Sequence, residues 1–139
     1  MSERQIGFGA VEESRWVCLD DRRASTLEAL CETIVPGSAR VRPVIYIDAV
    51  LERMDEAGRA ATLGAVDSLA EVADAGADGL RERAQTPEFM IIRALAIEAF
   101  YSDFVAPGAA GPGAWEEIDF SFPLASRIDH DWSYLGVRA

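Results

Sequence analysis

Apolar residues recur at helical spacing in four stretches of the chain, and each stretch is bounded by residues that start or stop a helix. In "TLEALCETIVPGSA", residues 26–39, Leu27, Leu30, Cys31, Ile34 and Val35 fall on one face. Ser25 before it, with Glu28 three residues on, reads as a capping box. Pro36 and Gly37 stop the helix and let the chain reverse. The pattern predicts a helix over 25–35. Behind Pro43, Val44, Ile47, Val50, Leu51 and Met54 repeat at the same period, and Gly58 reads as a C-terminal stop. This spacing predicts a helix over 44–57, although the β-branched opening "VIYI" also fits a short strand. A third helix is expected over 59–74, with Leu63, Val66, Leu69, Ala70 and Ala73 inward. "AGADG", residues 75–79, breaks it, and "LRERAQ" reads as a last short helical turn.

The clearest element is "TPEFMIIRALAIEAFYSDFV", residues 86–105. Thr86 is placed to cap, Pro87 occupies the first helical position, and Glu88 suits the positive end of the helix dipole. Phe89, Met90, Ile91, Ile92, Leu95, Ile97, Phe100, Tyr101 and Phe104 make this helix apolar nearly all round. Such a helix is central to a bundle or is covered in part by another chain. Within it, Arg93 and Glu98 are expected either to pair locally, Glu98 with Tyr101 or Ser102, or to address a partner.

From Ala106 the pattern changes. Three prolines and three glycines fall within residues 106–123, and large apolar side chains are spaced along the rest. Trp115, Ile118, Phe120, Phe122, Leu124, Trp132, Tyr134 and Leu135 are too many for a free tail, because each exposed large apolar side chain costs about 1.5–3 kcal/mol. The expected architecture is all-α: a small bundle of about four helices with an extended aromatic C-terminal arm. Residues 1–20 form an N-terminal arm pinned by Trp16 and Val17, 21–105 the helical domain, and 106–139 an arm packed on the domain or on a partner.

Charge narrows the function. The 139-residue chain carries 24 acidic and 13 basic residues, for a formal net charge of -11. That balance disfavours nucleic acid and anionic lipid, and fits solubility or docking to a basic partner surface. No stretch has the length of a membrane-spanning helix. Arg22 and Arg23 form a twin arginine, but Glu28 and Glu32 interrupt the apolar run that an export signal would need behind it. The pair reads instead as a solvated couple before a helix. With no signal peptide, the expected location is cytoplasmic, co-export with a partner remaining open. Cys18 and Cys31 read as free thiols; a bridge between them or to another subunit would need an oxidising compartment.

Chemistry is sparse. His130 lies between Asp129 and Asp131, yet sequential neighbours seldom face one another productively and no nucleophile accompanies them. "GAAGPG", residues 108–113, lacks the lysine and hydroxyl of a phosphate loop. Glu52, Asp55 and Glu56 read as a solvated face, and one histidine with two separated cysteines offers no zinc spacing. No catalytic, cofactor-binding or metal residue is assigned.

"TLEALCETIVPG", "YIDAVL", "TPEFMIIRALAIEAFYSD" and the "GPGAWEEIDF…DWSYLG" end together resemble the gluconate 2-dehydrogenase subunit 3 family, over roughly residues 24–136. The resemblance implies a non-catalytic small subunit that stabilises and helps mature a large FAD-dependent oxidoreductase of the glucose–methanol–choline type acting on sugars, polyols or glycosides. It places FAD in that large subunit and none in this chain. It implies a hetero-oligomer, with Trp115, Phe120, Phe122, Trp132, Tyr134, Phe100 and Phe104 as expected interface residues. The lack of a signal departs from a family often exported by the twin-arginine route. The rival expectations are a self-contained helical binding module or homodimer, and, more remotely, a small enzyme built on Asp129, His130 and Asp131.

Overall fold

Asp20 starts the first helix, five residues before the expected cap. Its carboxylate accepts the Arg23 amide at 2.8 Å, and α1 runs Asp21–Ile34. The earlier start carries Ala24 into the core and gives Ser25 an ordinary exposed helical position, so the predicted capping box does not form. The computed structural model describes residues 15–121. Beyond α1 it contains a 3-10 turn at Ser38–Val41, α2 at Pro43–Arg53, α3 at Glu56–Ala73, α4 at Gly76–Arg81, α5 at Pro87–Tyr101 and α6 at Ala114–Glu117. No strand occurs among the described residues, and "VIYI" is helical. The all-α expectation holds, with α1, α2, α3 and α5 as the main helices.

The chain reverses after α1 where the prolyl stop predicts it. Gly37 takes a left-handed conformation, φ 86°, and the Glu32 carboxylate receives the amides of Gly37 and Ala39. Pro43 opens α2 as its first residue. Gly58 does not end that helix. α2 stops at Arg53, and Asp55 caps α3 by accepting the Gly58 amide at 2.7 Å, which places Gly58 in the first turn of α3. Arg59 then donates to the carbonyls of Leu51, Glu52 and Met54, so one guanidinium covers the exposed end of α2. Likewise "AGADG" is only partly a break, since α4 already begins at Gly76.

α3 packs most extensively on α5 and α1, and α2 closes against α5. The interior is formed by Leu27 and Leu30, Ile47 and Leu51, Val66 and Leu69, and Ile92 and Leu95. Trp16 and Leu19 from the segment before α1 join it, whereas Val17 points to solvent; the anchors are therefore Trp16 and Leu19, not Trp16 and Val17. Asp48, on α2, fastens this segment. Its Oδ2 accepts the Val17 amide at 2.8 Å, and its Oδ1 accepts those of Cys18 and Leu19 at 2.9 and 3.1 Å.

Arg22 and Arg23 are structural. Both lie in the first turn of α1 and reach Asp67 on α3: Arg23 donates through Nε and Nη2 at 3.0 and 2.8 Å, and Arg22 through Nη2 at 3.1 Å. The hydrogen bond from Arg23, opposed by a smaller effect of burial and aided by the charges of Arg23 and Arg22, holds the Asp67 carboxyl below its usual range. A carboxylate held low contributes stability above its unfolded pKa and loses it as pH falls through the folded value. Asp67→Asn is therefore expected to destabilise the protein at neutral pH, with the difference from wild type shrinking below about pH 4. Unfolding midpoints of both proteins against pH measure this; a gap unchanged in acid would remove the ion pair from the stability of the α1–α3 contact.

Both cysteines are free thiols, Cys18 half-buried and Cys31 buried. Burial, with Glu28 and Glu32 on the same helix adding to it, pushes the Cys31 thiol up to about 12. The thiolate is the reactive form. One thiol per native chain, that of Cys18, is expected to react with an aromatic disulfide reagent at pH 8, and the second only in denaturant. Equal rates for both would mean that the core around Cys31 opens freely.

Candidate functional site

The expected site lies at the C-terminal end of α5 and in the segment behind it, and a small apolar cluster brings these together. Val35, Val41, Phe100 and Ala114 are buried against one another, with Ile34, Ile97 and Trp115 at their edge. α5 ends at Tyr101, four residues earlier than predicted, because Asp103 turns into the left-handed region at φ 64°. The reversed chain then runs beside the 3-10 turn, with the Ala106 amide on the Val41 carbonyl at 3.0 Å and the Gly111 amide on the Arg40 carbonyl at 3.1 Å.

α6 is aimed by two side chains. Asp103 accepts the Trp115 amide at 3.1 Å, capping the short helix. Gly113 leaves room for this contact, since a Cβ on it would stand 2.6 Å from the Asp103 carboxylate and 3.0 Å from Val105 and would push the carboxylate aside. Arg40 is the second device. Its Nε donates to the Pro112 carbonyl at 2.9 Å, its Nη2 pairs with Glu117, and its guanidinium carbon lies 5.1 Å from the Phe100 ring centre. One cation thus joins the turn after α1, the end of α5, the strap 106–112 and α6.

The aromatic residues divide by this geometry. Phe100 is 4 % exposed and belongs to the chain's own interior. Phe104 is half-buried and meets Tyr46 at 5.4 Å between ring centres. Trp115 is half-buried and Phe120 stands edge-on to it at 5.2 Å. Asp119, at φ 55°, turns the chain so that the Phe120 amide returns to the Trp115 carbonyl at 2.8 Å. Phe122, Trp132 and Tyr134, with Asp129, His130 and Asp131, lie outside the described residues. Glu98 reaches across to α2 instead of along its own helix to Tyr101 or Ser102. It accepts from the Tyr46 hydroxyl at 2.7 Å, and that hydrogen bond, with burial and the carboxylate charge, raises the Tyr46 pKa. Arg93 is exposed and lines a shallow cleft of about 310 Å³ between α1, α4 and α5.

A second cleft, of about 320 Å³, lies between Trp16, Glu28 and the start of α2 at Arg42 and Val44. Its lining pairs no nucleophile with a base. Among the described residues no group of three or more histidine, cysteine or acidic side chains is placed to hold a metal ion, and Asp55 from the acidic run serves as the α3 cap. No helix among them is long and apolar enough to cross a membrane. Compared with protein-family models, curated proteins and solved structures, the chain matches none.

Sequence reasoning missed Asp48, Asp103 and Arg40. A signal existed for the first, because Asp48 shares the inward register of Val44 and Leu51 on α2, where a carboxylate needs a buried reason. The other two act across folds of the chain and leave no local trace.

Proposed function

We propose that this chain is a non-catalytic small subunit that stabilises and helps mature a large FAD-dependent oxidoreductase acting on sugars, polyols or glycosides, the flavin residing in the large subunit. One observation carries the reading. Six large apolar side chains are strongly exposed among the described residues, and four of them, Tyr101, Val105, Ile118 and Phe120, sit at the aromatic end. Exposed apolar side chains concentrated in one short stretch of the chain point to a contact surface. The resemblance supplies the partner class: its two most distinctive pieces, "IVPG" and the helix end Phe100–Tyr101–Ser102–Asp103, are the turn and the α5 terminus that frame this end.

The test is co-expression with a large FAD-dependent oxidoreductase of the glucose–methanol–choline type from the same genome. The expected result is a yellow complex from which the small chain alone carries no flavin, and a flavoprotein that is poorly folded when made without it. A flavoprotein equally soluble and active on its own would overturn the reading. The second reading, a self-contained binding module or homodimer, draws on the interior: every buried side-chain polar atom among the described residues has a partner, so the four helices form a closed core.

A further inference from the structure

The charge pattern on the aromatic end limits what can cover it. Ile118 is 72 % and Phe120 49 % exposed. Glu116, Glu117 and Asp119 alternate with them along the same short turn, and all three are exposed. Arg40 neutralises Glu117. Among the described residues Glu116 and Asp119 enter no ion pair.

A second copy seated here by two-fold symmetry would set these carboxylates against themselves, between chains that each carry -11. Nucleic acid and anionic lipid are repelled on the same grounds. The complementary surface is an apolar hollow on a protein, rimmed by lysine or arginine. The element is also held ready: the Asp103 cap, the Arg40 clasp and the edge contact of Trp115 with Phe120 fix its backbone and rings, which lowers the ordering cost of association.

We propose that the α6 turn, with Ile118 and Phe120 as apolar anchors and Glu116 and Asp119 as steering charges, docks into a basic-rimmed apolar hollow on a protein partner. Resting on the function proposed above, that partner is the large flavoprotein subunit. The apolar pair sets how long the complex lasts, and the charges set how fast it forms.

The experiment measures binding kinetics of the full chain and two double variants to flavoprotein that was co-expressed with the small chain and then freed of it, at low and high salt. Glu116→Lys/Asp119→Lys is expected to slow association about tenfold at low salt, with the gap closing near 0.5 M salt. Ile118→Ser/Phe120→Ser is expected to weaken binding about tenfold or more through faster dissociation at either salt. If the wild-type chain binds and both variants bind like it, the docking face is wrong while the small-subunit reading stands. Absence of wild-type binding would overturn both. A free chain that sediments as a dimer, and as a monomer after Ile118→Ser/Phe120→Ser, would make a second copy the occupant and overturn the proposal. So would a clear drop in the melting temperature of that variant alone, which would mean that the chain covers this face with its own residues.

Discussion

Replacing Asp48 by alanine is expected to destabilise the protein by about 2–4 kcal/mol, through the amides it leaves behind. The carboxylate is buried and receives three consecutive backbone N–H groups, those of Val17, Cys18 and Leu19. Val17 is exposed, so its amide finds water once the acceptor is gone. Leu19 is buried and its amide does not, and the cost of an unmet buried donor falls mainly there. Asp48→Asn separates the two oxygens. An asparagine that keeps its oxygen on Cys18 and Leu19 must turn an NH2 group towards the Val17 amide, donor against donor. The asparagine variant is expected to lie between wild type and alanine, with Trp16 fluorescence shifting to longer wavelength in both as the segment loosens. Chemical denaturation gives the energies, and an alanine variant as stable as wild type would show that the segment before α1 is not fastened by this residue.

Ile92→Ala is expected to cost about 2–5 kcal/mol, and Met90→Ala less than about 0.5 kcal/mol, on the same helix two residues apart. Ile92 is fully buried beside Leu95, Ala96 and Ala99, whereas Met90 is 52 % exposed. The pair of variants tests whether a helix apolar nearly all round has an inside and an outside in this chain alone. Equal losses at the two positions would mean that the Met90 side is covered, by another chain or by residues outside the described ones.

Local chemistry was legible wherever a single signal governed an element. Pro43 at the first position of α2, Thr86 and Pro87 at the start of α5, and the reversal at Pro36–Gly37 rest on fixed φ, a missing amide and a side-chain acceptor, none of which depends on distant residues. Boundaries slipped where two good caps competed. Asp20 and Ser25 both suit the start of α1, and Asp55 and Gly58 both suit a break between α2 and α3, yet Ser25 and Gly58 end up inside the helices. In each case the longer helix won: the α1 start buries Ala24 and brings Arg22 and Arg23 to Asp67, and the α3 start gives Arg59 its three carbonyls. Those rewards come from other elements and cannot be read within a window. The aromatic end shows the same division. Its side chains stand out in the sequence, but the separation of Phe100, turned inward, from Ile118 and Phe120, turned outward, depends on Arg40 meeting Pro112 and Glu117 across more than seventy residues of chain.

The two apolar clusters differ greatly in depth. The main one draws on the four long helices and the segment before α1, whereas Val35, Val41, Phe100 and Ala114 form a small one held from outside by the Arg40 guanidinium, the Asp103 carboxylate and two backbone hydrogen bonds. Regions with few buried contacts open at lower free energy than the body that carries them. Amide protons at Ala106 and Gly111 should therefore exchange with solvent through a local excursion that leaves α1, α3 and α5 intact. The aromatic end is then a separately opening leaf of the molecule, able to lift and reseat while the bundle beneath it stays folded.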